Sequence, residues 1–319
     1  MNTLPSVLIT GAGGFVCGSI TVALLQAGWQ VIAVDRQFDS SVENTLRSHW
    51  GNQVTFVRAE CDNLPDFRVD ALVHGAAITA SPGDLEQTAE ANLRANLDPL
   101  LAVSEWAARH QVRRSIWMSS SAVYAATAVG PVPETLPTSP VGLYAVAKQT
   151  LESLAFTLRQ EYGRDVSVIR LSNIYGVAER SRATRPRVSL VGRMVKEALE
   201  TGRVSVYADD PARDWTFAPD VGAAVAALLK PQTLQHVLYN VASEQVFAPV
   251  DIAKMLLDLL PNIKLDIRDG SDPNTPPLTR RGYLTNKRLQ DETSFSAWTP
   301  FAAGLQQSID AQRNEAISS

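Results

Sequence analysis

The sequence predicts an α/β fold built on a doubly wound parallel sheet. Two observations predict it: short apolar runs alternate with longer helical patterns through the first half of the chain, and a glycine-rich turn follows the first run. β-rich runs separated by helices form right-handed crossovers, which make the strands parallel and place helices on both faces. With 319 residues, 45% of them hydrophobic, the chain is long enough for one large domain or for two lobes that share a core.

The apolar runs place the elements in order. Predicted strands are Val7–Thr10, Val31–Val34, Val54–Val57, Ala71–His74, Ser115–Met118 and Val166–Leu171, and predicted helices run over about 14–27, 85–110 and 144–162. After Asn173 the pattern loosens into a helix over about 189–200 and a short strand, 204–207. Leu238–Val241 is expected to return to the main sheet, and 269–282, rich in Pro, Asp and Arg, is predicted to be loop.

Composition excludes several classes of protein. A formal net charge of −4 argues against a nucleic-acid partner. Two distant cysteines and four scattered histidines indicate neither a disulfide framework nor a metal site. No run of about 18 apolar residues indicates a membrane helix, and Met1–Ser6 shows no secretory leader. We therefore expect a cytoplasmic enzyme without a metal.

Thr10-Gly11-Ala12-Gly13-Gly14 joins the first strand to the first helix, which is the context of a dinucleotide-binding turn. Helix amides there point at a pyrophosphate. Gly11 permits the tight turn, and Gly14 lets the backbone approach phosphate. Cys17 stands where a third glycine would be expected, so an adjusted fit is predicted. The fold is thus Rossmann-type: residues 1–173 are expected to bind the cofactor, and 174–319 mainly form a smaller, interleaved substrate-binding lobe, with 219–245 returning to the sheet.

The residues after the second and third strands bear on the choice of dinucleotide. Asp35 ends the second strand, where a carboxylate accepts hydrogen bonds from the adenine ribose and repels a 2′-phosphate. This favours NAD, although the neighbouring Arg36 would suit the phosphate of NADP. Asp62, after the third strand, is either an adenine contact or a solvated turn residue.

Tyr144 and Lys148 have the spacing Y-x-x-x-K, which places both side chains on one helix face. A cation beside a phenol favours the phenolate and lowers a pKa that is normally about 10. The pair follows the serine run Ser119–Ser121. This order predicts a base that removes a proton from a sugar-type hydroxyl.

Several segments together resemble an extended short-chain dehydrogenase/reductase of the NAD-dependent epimerase/dehydratase type. They are TGAGGFVCG, VDR, VHGAA, SSSAVY, YAVAK, RLSNIYG and RDWTFAPDV, in the order that is typical of the family. The resemblance implies that Tyr144 is the general acid or base, that Lys148 lowers its pKa and binds the nicotinamide ribose, and that Ser120, with Ser121 as its nearest competitor, hydrogen-bonds the reacting oxygen. It assigns Asn96 to the catalytic group, where it helps to organise the site, and assigns the cofactor site to Gly11, Gly14, Phe15, Val16, Asp35, Arg36, Asp62, Ala76, Ala77, Tyr144 and Lys148.

For the substrate, the resemblance implies contacts from Ser120, Ser121, Asn173, Arg213 and Arg281. Tyr283 replaces the acidic residue that the family commonly has after the glycine at this point, which makes a free sugar or sugar acid a rival to a nucleotide sugar. Ser121 and Ala122 occupy the positions of the acidic pair of dehydratases, so dehydration is not expected. A nucleotide-sugar epimerase is favoured; the alternatives are an NAD-dependent dehydrogenase of a free sugar or sugar acid and a non-catalytic NAD sensor.

Two further features leave alternatives open. Arg180, Arg182, Arg185 and Arg187 lie in either a solvated loop or an anion-binding loop over a substrate. The two long helices, about 85–110 and 144–162, carry apolar residues on more than one face. In the family such helices often form a four-helix dimer bundle, so a homodimer is expected, although the second face could instead pack on the C-terminal lobe.

Overall fold

The central feature of the computed structural model, which describes residues 4–124, 128, 130–272 and 282–318, is a parallel seven-stranded sheet. In chain order its strands are β1 (Ser6–Thr10), β2 (Gln30–Asp35), β3 (Val54–Arg58), β4 (Ala71–His74), β5 (Arg114–Ser120), β6 (Val166–Leu171) and β10 (Leu238–Val241). Across the sheet the order is β3-β2-β1-β4-β5-β6-β10. The predicted doubly wound α/β fold is confirmed.

Helices cover both faces of this sheet because the strands are buried on both sides. One face packs on α1 (Phe15–Gln26), α2 (Ser40–Trp50) and α6 (Ala218–Leu229), and the other packs on α3 (Ala89–Arg109) and α4 (Leu143–Tyr162). The chain leaves β1 in one direction to β2 and later returns on the other side to β4. A crevice opens at the carboxyl ends of the strands at such a switch point, and ligands bind there.

The smaller lobe has its own core and two small sheets. Its helices are α5 (Leu190–Thr201), α7 (Pro249–Leu259) and α9 (Phe301–Ser318), and its strands are β7 (Asn173–Tyr175), β8 (Arg203–Tyr207), β9 (Arg213–Phe217), β11 (Val246–Phe247) and β12 (Lys264–Arg268). β9 lies between β11 and β7, and β8 pairs with β12. A last short helix, α8 (Lys287–Thr293), contacts β10 and α6. The lobe is interleaved with the sheet domain because α6 and β10 interrupt it in the sequence.

Some boundaries differ from the prediction. The long helix was expected to begin near Leu85, but α3 begins at Ala89 because the Thr88 hydroxyl accepts the Ala91 N–H and caps it. Sequence analysis did not predict α2, whose start is capped by Asp39. Most of the predicted 269–282 loop lies outside the described residues.

Candidate active site

The glycine turn after β1 brings its backbone against the loops that follow β2 and β4. Gly11 has a φ of +74°, and a Cβ there would lie 2.7 Å from the Ala76 nitrogen. At Gly13 it would lie 2.4 Å from the Gln37 carbonyl oxygen. Gly14 caps α1. A side chain at Gly11 or Gly13 would collide with these loops, so glycine permits their close approach. A turn of this form at the start of a helix fits a pyrophosphate held by helix amides.

Cys17 occupies the third glycine position by using space elsewhere. A Cβ added to Gly75 would lie 2.2 Å from the Cys17 Sγ. The same Sγ lies 3.4 Å from the Met118 sulfur. Gly75 therefore supplies the room that a glycine at position 17 would otherwise leave. Burial raises the pKa of the Cys17 thiol to about 12, so this side chain packs as a neutral apolar group.

A cavity of about 330 Å³ extends from the glycine turn across the ends of β2 and β4. It is lined by predicted cofactor residues Gly11, Gly14, Asp35, Arg36, Ala76 and Ala77. The Asp35 carboxylate accepts hydrogen bonds from the Gly13 and Gln37 amides, at 3.0 and 3.2 Å. Asp62 is exposed and does not line this cavity, whereas Glu60 and Cys61 of the same turn do. The predicted adenine contact by Asp62 is therefore not supported by its position.

A larger cavity, of about 760 Å³, brings together Ser120, Tyr144 and Lys148 with Phe15 and Val16 of the glycine turn. Ser120 ends β5, and its hydroxyl is near enough to the Tyr144 phenol to lower the pKa of that phenol. The Lys148 ammonium lies 5.7 Å from the centre of the Tyr144 ring and donates to the Met118 carbonyl at 2.7 Å. Since α4 presents Tyr144 and Lys148 on one face, the predicted spacing places both in this cavity. Ser121, its competitor for the catalytic role, does not line it.

The predicted lowering of the Tyr144 pKa by Lys148 is not found in this structure. Burial raises the pKa of Tyr144, and it outweighs the opposing effects of the Ser120 hydrogen bond and the Arg185 charge. Burial also lowers the pKa of Lys148 to about 8. The sequence argument considered a charged pair in water, whereas the interior disfavours the charged form of both groups.

Sequence analysis missed a buried ion pair, Glu152–Arg170, that lies next to Lys148 on α4. Glu152, one turn after Lys148 on α4, accepts hydrogen bonds from Arg170 at 2.9 and 2.5 Å and from the Ser119 hydroxyl at 2.6 Å. Glu152 and Arg170 are 1% and 3% exposed. This network ties α4 to β5 and β6. The signal was available, since Glu152 follows Lys148 by four residues and Arg170 lies in a quoted motif.

Asn96 acts on the loop after β4 rather than on the cavity. Its side chain accepts the Ile78 N–H at 2.9 Å and donates to the Ile78 and Asn92 carbonyls. Asn96 does not line either cavity described above. These hydrogen bonds hold the segment that follows Ala76 and Ala77, which is compatible with the predicted organising role. The assignment of Asn96 to the catalytic group stays a prediction.

Arginines are prominent in the lining of the larger cavity. The predicted residues Asn173 and Arg213 are among its lining, and Arg185, Arg187 and Arg193 join them. Asn173 donates to the Asp214 carbonyl at 3.0 Å. Burial lowers the pKa of Arg213. None of the described residues that line this cavity is Asp or Glu. Arg281 lies outside the described residues.

Comparisons with known proteins agree with this geometry. A model of the NAD dependent epimerase/dehydratase family matches residues 7–242. The chain belongs to this family. It is an extended short-chain dehydrogenase/reductase, and NAD is the cofactor that the family uses. The predicted family and cofactor are confirmed.

Members of the family with different activities resemble the chain to a similar degree. UDP-glucuronate 4-epimerase from Thermodesulfobacterium geofontis is 27% identical, over 70% of this chain and 71% of that protein. dTDP-glucose 4,6-dehydratase from Streptomyces antibioticus is also 27% identical, over 97% of this chain and 92% of that protein. A UDP-glucose-4-epimerase structure from Stenotrophomonas maltophila, with bound NAD and formylated UDP-arabinopyranose, superposes with a TM-score of 0.84 at 19% identity, covering 99% of this chain and 100% of that one.

Two further observations concern the chain as a whole. No helix in the described part is both long and apolar enough to cross a membrane. Within the same residues, no group of three or more His, Cys, Asp or Glu side chains is arranged to hold a metal ion.

Proposed function

We propose that the protein is an NAD-dependent epimerase of a nucleotide sugar, working through Ser120, Tyr144 and Lys148. The observation that carries this proposal is the composition of the 760 Å³ cavity: its lining includes this hydroxyl, phenol and ammonium together with four arginines, Arg185, Arg187, Arg193 and Arg213. Arginine recognises phosphate by charge and by paired N–H donors. A nucleotide diphosphate sugar supplies the matching anion.

In this proposal the residues divide the work at one oxygen of the sugar. Tyr144 takes the proton from the sugar hydroxyl and later returns it. Ser120 donates a hydrogen bond to that oxygen as it changes between hydroxyl and ketone. Lys148 keeps a cation next to the phenol and is placed to bind the nicotinamide ribose. NAD, when bound, supplies the hydride acceptor and, once reduced, the donor.

The fate of the keto sugar separates the candidate activities. If it turns in the cavity before Tyr144 returns the proton, the product is the epimer; if it leaves, the enzyme is a dehydrogenase. Elimination of water would need a further acid beside the sugar, and the described lining of the cavity contains no carboxylate. The same arginines favour a charged substrate over a neutral free sugar, while a free sugar acid remains the alternative.

A mass and absorbance assay tests this proposal. Purified protein is incubated with a panel of UDP- and dTDP-sugars and, separately, with free sugars and sugar acids. An epimerase gives a product of unchanged mass with a new sugar spectrum by proton NMR and no net NADH. Loss of water identifies a dehydratase, loss of carbon dioxide a decarboxylase, and stoichiometric NADH a dehydrogenase. Any of these three outcomes contradicts the proposed epimerase.

We also propose that the two parts of the chain bind different molecules and that the protein is a homodimer. Residues 1–173 hold the cofactor and most of 174–319 hold the substrate, with 219–245 completing the sheet. The partner is a second copy of the chain that pairs through α3 and α4, where exposed apolar side chains such as Leu101 and Phe156 support an interface. A cytoplasmic location stays a prediction.

A further inference from the structure

The arginine-rich segment 177–188, here called the strap, crosses the cofactor crevice and is hydrogen-bonded to the loops on both sides of it. On the side of β4, the Thr184 carbonyl accepts the backbone N–H groups of Thr79 and Ala80, at 2.9 and 3.2 Å. These two residues follow β4. The strap is therefore attached by main-chain hydrogen bonds to the loop that Asn96 positions.

On the side of β2, the strap is attached to the loop between β2 and α2. Arg180 forms an ion pair with Asp39, and the Arg182 guanidinium lies 3.4 Å from the Gln37 carbonyl oxygen. β2 and β4 are the two neighbours of β1, and the glycine turn lies at the end of β1, between the two anchors. The strap consequently spans the turn that fits the pyrophosphate.

The strap has an internal structure that keeps these anchors in place. Arg182 and Arg185 exchange backbone hydrogen bonds at 3.0 and 2.9 Å, which forms a tight turn. The Glu179 carboxylate pairs with Arg185 and accepts the Ser189 N–H at 2.7 Å. The Arg185 guanidinium also lies 5.1 Å from the centre of the Phe15 ring, at the start of α1. A segment with these contacts behaves as a unit rather than as a solvated loop.

The same short segment contributes to both cavities. Arg182 and Thr184 line the 330 Å³ cavity together with Asp35. Arg185 and Arg187 line the 760 Å³ cavity that contains Tyr144. The strap carries four arginines and one glutamate, so its charge is complementary to the two negative charges of a pyrophosphate.

We propose that the strap closes over bound NAD, that the Arg180–Asp39 ion pair is its latch, and that the nucleotide leaves only when the latch opens. Arg182 completes the adenosine half of the site from the C-terminal lobe. The proposal rests on the NAD cofactor and not on the identity of the sugar. Its tests use nucleotide alone, so a failure of the proposed epimerase activity would leave them unaffected.

The first test measures how fast NADH leaves the full-length protein. Holoenzyme loaded with NADH is mixed with lactate dehydrogenase and pyruvate, which consume released NADH, and the decay of protein-bound NADH fluorescence is followed. Arg180→Gln is expected to release NADH about tenfold faster than the wild type. Arg47→Gln is the matched control, since Arg47 pairs with Glu43 on α2 at 2.9 Å, and neither residue lines the two cavities. Equal release rates in all three proteins would overturn the latch.

A second readout follows the strap directly and begins with the wild-type protein. Hydrogen exchange of the Thr79 and Ala80 amides reports strap opening, because both donate to Thr184 and neither belongs to the strap. NADH is expected to slow exchange at these amides in the wild type, and Arg180→Gln to speed it in the NADH-loaded protein. Exchange that is unchanged by NADH would overturn the closure of the strap over the cofactor.

Discussion

Tyr144 and Lys148 show how strongly burial acts on single side chains in this site. Both have pKa values moved towards the neutral form, and in both cases burial is the largest cause. The positively charged nicotinamide ring of bound NAD would favour the Tyr144 phenolate by the attraction of opposite charges. The reactive form of the phenol is thus expected to depend on the cofactor rather than on Lys148 alone.

Replacing Tyr144 by Phe separates proton transfer from cofactor binding. We expect kcat to fall by about 10²–10⁴-fold, the usual contribution of a general acid or base, because the ring remains and the hydroxyl is lost. NADH affinity is expected to change by no more than a few-fold, measured by fluorescence titration. Full activity in this variant would exclude Tyr144 as the acid or base.

Asp214 supplies a pH-dependence of folding stability. It is 4% exposed, accepts the Leu284 N–H at 3.0 Å, and burial raises its pKa to about 7. An unfolded aspartate ionises near pH 4, so between about pH 4 and 7 the folded state holds a proton that the unfolded state has lost. Stability from this group is therefore present at low pH and falls as the pH rises to about 7.

Asp214→Asn should remove that slope. Urea unfolding at pH 5 and pH 8 is expected to show that the variant gains stability relative to the wild type at the higher pH. The gain is up to roughly 3 kcal/mol, because the pKa of about 7 lies two units above pH 5 and each unit is worth about 1.36 kcal/mol. The exposed Asp258 on α7 provides a control, Asp258→Asn. A constant difference between Asp214→Asn and wild type at the two pH values would contradict the raised pKa.

Among the elements, α1 and α6 form the most extensive helix–helix contact in the described part of the chain. The contact is close because Gly222 on α6 has no side chain: a Cβ there would lie 2.6 Å from the Ala23 Cβ and 2.7 Å from the Ser19 carbonyl oxygen. α1 begins at the glycine turn, so its position against α6 also positions the amides that we propose hold the pyrophosphate.

Gly222→Ala should therefore force the two helices apart. We expect a loss of about 1–3 kcal/mol of stability, as is usual for overpacking, together with weaker NADH binding. Gly18→Ala on α1 is the matched control, because its Cβ would meet its nearest atom at 3.7 Å. That change is expected to be neutral or to stabilise the helix by about 0.5–1 kcal/mol. Equal effects of the two substitutions would contradict the packing argument.

At the level of the whole molecule, α3 and α4 pack on each other and on one face of the sheet, and still present apolar side chains outward. Leu101 on α3 is 49% exposed, and Val146 and Phe156 on α4 are 38% and 37% exposed. Most of the C-terminal lobe does not pack on α3 or α4, because it joins the sheet domain at β10 and α6. A second copy of the chain is the partner that we propose for this face.

The double variant Leu101→Glu/Phe156→Glu tests this interface. Charges in a paired apolar face would be buried without partners, so the variant is expected to be a monomer where the wild type is a dimer, as measured by light scattering after gel filtration. Ile267→Glu is the control, because Ile267 is also exposed, at 47%, but lies on β12 in the smaller lobe. A wild-type monomer would contradict the proposed homodimer.

Local patterns were sufficient to predict the parallel sheet, the glycine turn and the pairing of Tyr144 with Lys148. Each is indicated by a local pattern in the sequence: β-α alternation, a strand followed by a glycine turn, and a spacing of one helical turn. Family resemblance added Ser120, Asn173 and Arg213, which line one cavity with that pair.

The remaining features depend on residues that are far apart in sequence, and no local pattern could predict them. In the folded chain Lys148 is buried and Tyr144 is half-buried, and this loss of solvent reversed the expected direction of the Tyr144 pKa. Gly75, which follows β4, leaves room for the Cys17 side chain. Glu152 on α4 forms an ion pair with Arg170 on β6. The strap contacts Asp39 and Thr79 because the sheet makes β2 and β4 the two neighbours of β1. Chain spacing determines which face a side chain occupies, and packing determines what that side chain meets there.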